Sequence, residues 1–321
     1  MNLSNLVKDV GGWALYESGP SWIPRLSRAQ QIGLANLLGD AVRGASAEDV
    51  ARMSAEIEAT VGDEPFDEPL AQIVSRAYRL RMMNEIEVLR YPKLDRRTLQ
   101  GTVFVEHRDY LDDAVSHGKG TIVLSGHFGA HGLLLAALGH SGFSVHRLSV
   151  PVGTDPDSPE GRTNPLLARV RAKRASFDEA LPASPIDALG FLRPAYQVLA
   201  RNEVLALTFD GGEGRRSVPM TLARRTAMVS SQPWQLARST GARIVPAAVV
   251  RQHGQHLHRV FLGKPIVVAH TKDRDADLAA AAETYGAWFT KWLRKRPDHY
   301  GPYLLFRRKL QDGGGRPMFT G

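Results

Sequence analysis

Thr121 to Leu124 form a short apolar, β-branched run that ends directly in a turn punctuated by Gly126, Gly129 and Gly132. Leu133 to Leu138 then continues as an apolar segment of helical character. A buried strand, a tight turn and a buried helix in immediate succession constrain the chain to an α/β sheet. The same order puts His127 at the C-terminal end of the strand, beside the N–H groups of a starting helix, where open α/β sheets form their sites. A neutral imidazole there can take a proton near pH 7. A hydrogen-bonded structural histidine in the same turn accounts for the pattern equally well.

The rest of the chain repeats the alternation. A strand is expected over Gly101–Glu106, a helix over Arg108–His117, and a strand over Phe143–Val150. Residues 151–163, rich in Pro, Gly and Asp, read as loop. A basic helix over Pro165–Arg174 carries Arg169, Arg171, Lys173 and Arg174; another helix over Pro194–Ala200 leads into a strand over Val204–Phe209. A buried helix is read over Thr226–Thr240, ending at Gly241, and a hairpin over Ile244–Val250 and Leu257–Leu262 around Gly254. Leu278, Ala281, Ala282, Tyr285, Trp288, Phe289 and Trp292 form an apolar helical stripe that reads as core. The predicted class is α/β, with a mostly parallel central sheet flanked by helices and a helical N-terminal region.

That region, residues 1–100, starts with an amphipathic helix over residues 3–16 that Pro20 and Pro24 end. Its polar face has little basic charge, so packing on the body is favoured over lying on a membrane. Ile32 to Val42, a helix capped by Ser46 with Asp49 three residues on, and a longer helix over Pro69–Leu89 follow. No chemistry is legible there. Residues 101–310 read as the α/β core, forming one domain with the helices, and the glycine-rich residues 311–321 as a flexible tail.

Composition narrows the chemistry. The 321 residues contain no cysteine, which excludes disulfides, thiolate metal sites and a cysteine nucleophile. The net charge of +8 is carried mostly by arginine and suits phosphate-bearing partners such as coenzyme A, an acidic carrier protein, anionic lipid or RNA. No apolar run reaches the ~18 residues of a membrane span, and Lys8 and Asp9 interrupt any signal-peptide core. The expected place is the cytoplasm, with contact to the inner face of the membrane left open.

A second site-like feature follows the strand over Val204–Phe209. Asp210, two glycines, Glu213, Gly214, Arg215 and Arg216 combine an acid at a strand end, close backbone approach and arginines able to hold phosphate or carboxylate. Two metal readings fail on spacing: Asp155, Asp157 and Glu160 fit no cation loop, and His253, His256 and His258 lack a further ligand. No metal site is expected.

The order of these features resembles the lipid A lauroyl acyltransferase branch of the lysophospholipid acyltransferase superfamily, which includes phosphatidylinositol mannoside acyltransferases. The resemblance spans about residues 25–310. It rests on the helical N-terminal region, Gly118 to Gly120 before the strand, the Ser125 to Gly129 turn, Arg162 to Pro165 as a substrate-loop segment, Asp210 with its glycine–arginine loop, and Pro297 to Arg308. It implies acyl transfer from an acyl-coenzyme A or acyl carrier protein thioester to a hydroxyl. The family motif is a histidine followed, after four residues, by Asp or Glu. His127 matches the histidine, but the carboxylate position is Gly132, and Ala130 and His131 stand where the family often has Asn and Trp.

Three explanations remain open for that departure. Asp210, Glu213 or His131 replaces the carboxylate; the acceptor is an amine or hydroxylamine that needs less activation; or catalysis is lost and binding kept. The resemblance implies His127 as the general base; His131 and Asp210 are the further catalytic candidates, as substitutes for the missing carboxylate. Gly129, Asn164, Arg169, Arg174, Glu213, Arg215 and Arg216 are the candidate substrate-binding residues, with the arginines on donor phosphates. No cofactor is required. The acceptor is a lipid or a small molecule, with specialised metabolism favoured. A binding protein on the same scaffold and an aminoacyl-tRNA donor are the alternatives, nucleic acid being the weaker signal.

Overall fold

The computed structural model describes residues 11–62, 68–149, 165–187, 192–211, 216–252 and 257–320. Its N-terminal part is helical: α1 (Arg28–Gly44), α2 (Ala47–Val61) and α3 (Leu70–Val88). Ser27 and Gln30 form a reciprocal capping box at the start of α1, and Ser46 accepts from the Asp49 N–H at the start of α2. Of the amphipathic helix read over residues 3–16, only residues 11–16 are described, and they are helical. Pro20 does not end the helical path; it sits in the first turn of the short helix Gly19–Trp22, where its missing N–H costs nothing.

The central sheet has seven strands. They are β1 (Val103–Glu106), β2 (Thr121–Ser125), β3 (Val145–Ser149), β4 (Ser184–Asp187), β5 (Val204–Thr208), β8 (Arg243–Arg251) and β9 (His258–Leu262), in the spatial order β1-β9-β8-β2-β5-β3-β4. All neighbours pair in parallel except β8 and β9, which form the antiparallel hairpin expected from sequence. The sheet is therefore mostly parallel. The flanking helices are α4 (Arg108–Ser116), α5 (Gly132–His140), α6 (Pro165–Asp178), α7 (Arg193–Ala200), α8 (Gln232–Thr240), α9 (Arg274–Lys295) and α10 (Gly301–Asp312). Every residue of β2 is buried, because both faces of the sheet are covered. Ile122 and Leu124 enter one core with Trp234, Tyr285 and Phe289, while Val123 enters the other with Leu133, Leu134 and Val245.

Two further expectations differ from the structure. Thr226–Thr240 is not one helix. Its first residues belong to β7 (Arg225–Ser230), which pairs antiparallel with β6 (Ser217–Leu222), and α8 starts only after Ser231. The alternation that buries Ala227 and Val229 has period two, and sheet pairing wins over the longer apolar pattern. The C-terminal tail is likewise not loose: Met318 is buried, and Phe319–Thr320, as β10, pair antiparallel with β7. Arg225 lies over the Phe319 ring at 3.8 Å. The strand β4 was missed because Pro185 reads against a strand; it is tolerated there at the sheet edge. Residues 151–163 lie outside the described residues.

Candidate active site

The sheet register brings two distant sequence features together. β2 and β5 are adjacent and parallel, with Ser125 opposite Thr208. Both strands thus end at the same level, and each delivers a polar side chain two residues later: His127 from one, Asp210 from the other. Asp210 Oδ1 lies 2.7 Å from His127 Nδ1, and Oδ2 accepts the His127 backbone N–H at 2.9 Å. The Tyr300 hydroxyl donates to Oδ2 at 2.9 Å, and the Tyr303 hydroxyl donates to the Asp210 carbonyl. The His127 ring lies flat on the Tyr303 ring, with centroids 4.5 Å apart and planes 3° from parallel.

Asp210 is buried, 3% exposed. Burial alone pushes its carboxyl up; the charge of His127 and hydrogen bonds from the His127 ring, the His127 backbone and Tyr300 outweigh this and hold it below its ordinary value. It is therefore an anion under working conditions, pointed at one nitrogen of His127. His131, at the start of α5, meets the His127 ring edge-on at 4.9 Å. Burial first, then the nearby charges of His127 and Arg174, push its pKa down to about 3, so it stands beside His127 as a neutral ring.

The turn between these histidines is held from both sides. Gly129, at φ +60°, donates its N–H to the His299 carbonyl at 3.1 Å and accepts from Asn84 Nδ2 at 3.0 Å. Asn84 Oδ1 accepts in turn from Arg251 Nη2 at 3.0 Å, and Arg251 Nη1 donates to Glu87 at 2.8 Å. His258 Nε2 also meets Glu87, at 3.0 Å. This partly buried network, from helix α3 and the β8–β9 hairpin, was not legible as a unit: its members are spread along the chain and joined only by the fold.

His127, Gly129 and His131 line a cavity of about 810 Å³, within the roughly 300–1,000 Å³ usual for ligand pockets. Leu134, Leu135, Leu148, Leu181, Ala206 and Leu207 form apolar wall; Glu85, Arg147, Arg174 and Asp178 form a charged one. Arg174 Nε donates to Glu85 at 3.1 Å, and Arg174 also pairs with Asp178. Of the other expected binding residues, Arg169 does not line this cavity; it is exposed and pairs with Glu17 at 2.7 Å. Arg216 lies along a surface depression with Lys272, Asp273, Arg274 and Asp275, carried away by β6. Asn164, Glu213 and Arg215 fall outside the described residues, as do Asp155, Asp157, Glu160, His253 and His256. Among the described residues no cluster of three metal-ligand side chains occurs, and no helix is long and apolar enough to cross a membrane.

His299 supplies a check on the electrostatics beneath the site. It is buried, and its Nε2 accepts the Arg251 N–H at 3.0 Å, so the fold uses the neutral ring. Burial, opposed by Asp298 and reinforced by Arg296 and Arg251, lowers its pKa to about 4. Between about pH 4 and the unfolded value near 6.5, the unfolded chain binds a proton that the folded one refuses. Stability should therefore fall as pH drops through that window, by up to about 1.4 kcal/mol per pH unit from this group, and His131 acts in the same direction. Asp210 and Asp298, both depressed, add their loss only below the ordinary carboxylate range. Guanidinium unfolding at pH 7, 6 and 5 should show the slope, and His299→Gln should flatten it.

The molecule is thus an α/β protein with a strand-end histidine, held by a buried carboxylate, on the wall of a partly apolar cavity. The chain belongs to the bacterial lipid A biosynthesis acyltransferase family, whose model matches residues 33–311. Membership of that family points to acyl transfer as the class of chemistry. A comparison with curated protein sequences found no match.

Proposed function

We propose that this protein is an acyltransferase in which His127 is the general base, Asp210 replaces the missing motif carboxylate, and a thioester donor, acyl-coenzyme A or acyl carrier protein, supplies the acyl group. The observation that carries the reading is the 2.7 Å contact of His127 Nδ1 with a buried, ionised Asp210 at a cavity wall. In the tautomer that this contact favours, Nδ1 bears the proton and Nε2 is basic. Nε2 takes the proton of a hydroxyl or amine acceptor as its oxygen or nitrogen attacks the thioester carbonyl carbon. The new bond forms while the carbonyl π pair moves to oxygen. Collapse of that intermediate breaks the carbon–sulfur bond, and the leaving thiolate takes the proton from the imidazolium.

The leucine-lined wall suits the acyl chain, and Arg147, Arg174 and the rim residue Arg81 suit negative charge on donor or acceptor. Gly129 cannot donate to the developing oxyanion, since its N–H is committed to His299. The acceptor is a hydroxyl or amine on a lipid or small molecule.

The test is thiol release from lauroyl-coenzyme A and lauroyl carrier protein, with alcohol, amine and hydroxylamine acceptors. Wild-type protein should turn over at least one donor, and His127→Ala should abolish it. Equal rates for the two proteins would overturn the reading. Tight donor binding without turnover would make this a binding protein, and activity sensitive to ribonuclease would move the donor to an aminoacyl-tRNA.

A further inference from the structure

Gly132 is not an empty replacement for an acid. A Cβ placed on it would lie 2.6 Å from the Tyr91 hydroxyl oxygen and 3.2 Å from the adjoining ring carbons. The space that a side chain five residues after His127 would enter is therefore filled by the head of Tyr91. Tyr91 comes from the segment after α3, in the region where the sequence showed no chemistry. It is buried, 5% exposed, and lines the same cavity as His127 and His131.

Its hydroxyl makes no hydrogen bond with any described residue. Tyr78 and Tyr285 also lack a hydroxyl partner but are sealed in the core, whereas Tyr91 lines the cavity. Every other tyrosine of the site has one: Tyr16 with Glu85, Tyr300 and Tyr303 with Asp210. Burial raises the Tyr91 pKa, so the group is a neutral donor and not a base. The same cavity carries Arg174 and Arg147, whose Nε has no partner among the described residues, together with the carboxylates of Glu85 and Asp178. An acid at position 132 would have added to the negative charge that Asp178 and Glu85 already bring to this wall; Tyr91 puts a neutral hydroxyl donor there instead.

We infer that the Tyr91 hydroxyl contacts the substrate directly, donating a hydrogen bond to the acyl oxygen on which negative charge develops. The inference rests on the acyl-transfer reading, and it gives the Gly132 departure a positive role: removal of the motif side chain admits an oxyanion donor. Tyr91 donates without transferring its proton.

The experiment compares wild-type protein with Tyr91→Phe in two measurements. The first is binding of dodecylphosphonate, whose alkyl chain and tetrahedral oxyanion mimic the intermediate. The second is thiol release from lauroyl-coenzyme A. Tyr91→Phe should bind dodecylphosphonate about tenfold more weakly and turn over about 10²-fold more slowly, with KM little changed. Its melting temperature should stay that of wild type, since the hydroxyl bonds to nothing in the fold. Equal phosphonate affinity for the two proteins, or no binding by either, overturns the inference even if turnover is normal. Weaker phosphonate binding by Tyr91→Phe with no turnover by wild type would keep the Tyr91 contact and discard the acyl-transfer reading.

Discussion

Asp210→Asn is expected to lower acyl transfer by about 10⁴-fold while leaving the protein folded. The substitution keeps the shape of the side chain and one oxygen for the Tyr300 hydroxyl. It removes the charge that stabilises the imidazolium, and it offers an amide donor that turns the His127 ring to the wrong tautomer. The loss should fall in kcat, since the pair acts on the proton in transit and not on the bound acyl chain. Steady-state thiol release, with circular dichroism to confirm folding, makes the check. A variant within tenfold of wild type would mean that Asp210 is only a structural partner of the turn.

Gly129→Ala should be the most damaging small substitution near the site. Its φ of +60° is one that residues with a Cβ adopt at a cost. The added Cβ would also stand 2.2 Å from the Val249 carbonyl oxygen and 2.9 Å from the His299 ring. The first of these is backbone in the central strand β8, which cannot move aside cheaply. Together the strain and the clash should cost about 3 kcal/mol or more, and activity should disappear as the turn carrying His127 shifts. Gly118→Ala is the control: its φ is +76°, but a Cβ there meets nothing within 4 Å, so only the backbone term remains. Urea unfolding of both variants separates strain from clash.

His127 and Asp210 could each be picked out from sequence because each follows an apolar strand directly, and strand ends are where α/β sheets present side chains. That the two meet stood in the sequence only as one of three ways to replace the missing carboxylate. The pairing of β2 with β5 depends on how crossovers order the strands, and the residues are 83 apart in the chain. The binding arginines were read from charge alone, and charge says nothing about direction. Arg174 faces the cavity, whereas Arg169 is turned outward to Glu17 and Arg216 lies beyond it at the start of β6. Asn84 and Arg251 could not be found at all, because they act through packing of α3 and the β8–β9 hairpin around the Gly129 turn, and Tyr91 likewise meets Gly132 only in the fold. One signal was available and unused: Arg147 is a charged residue inside β3, an internal strand of the central sheet, where a charge asks for a ligand or a partner.

The account turns on which nitrogen of His127 holds the proton, and nitrogen-15 NMR of histidine-labelled protein near neutral pH reads that directly. The expected spectrum gives His127, assigned by its loss in His127→Ala, a protonated Nδ1 and a bare Nε2, with the preference lost in Asp210→Asn. A His127 signal dominated by the Nε2–H form, unchanged by Asp210→Asn, would contradict the account.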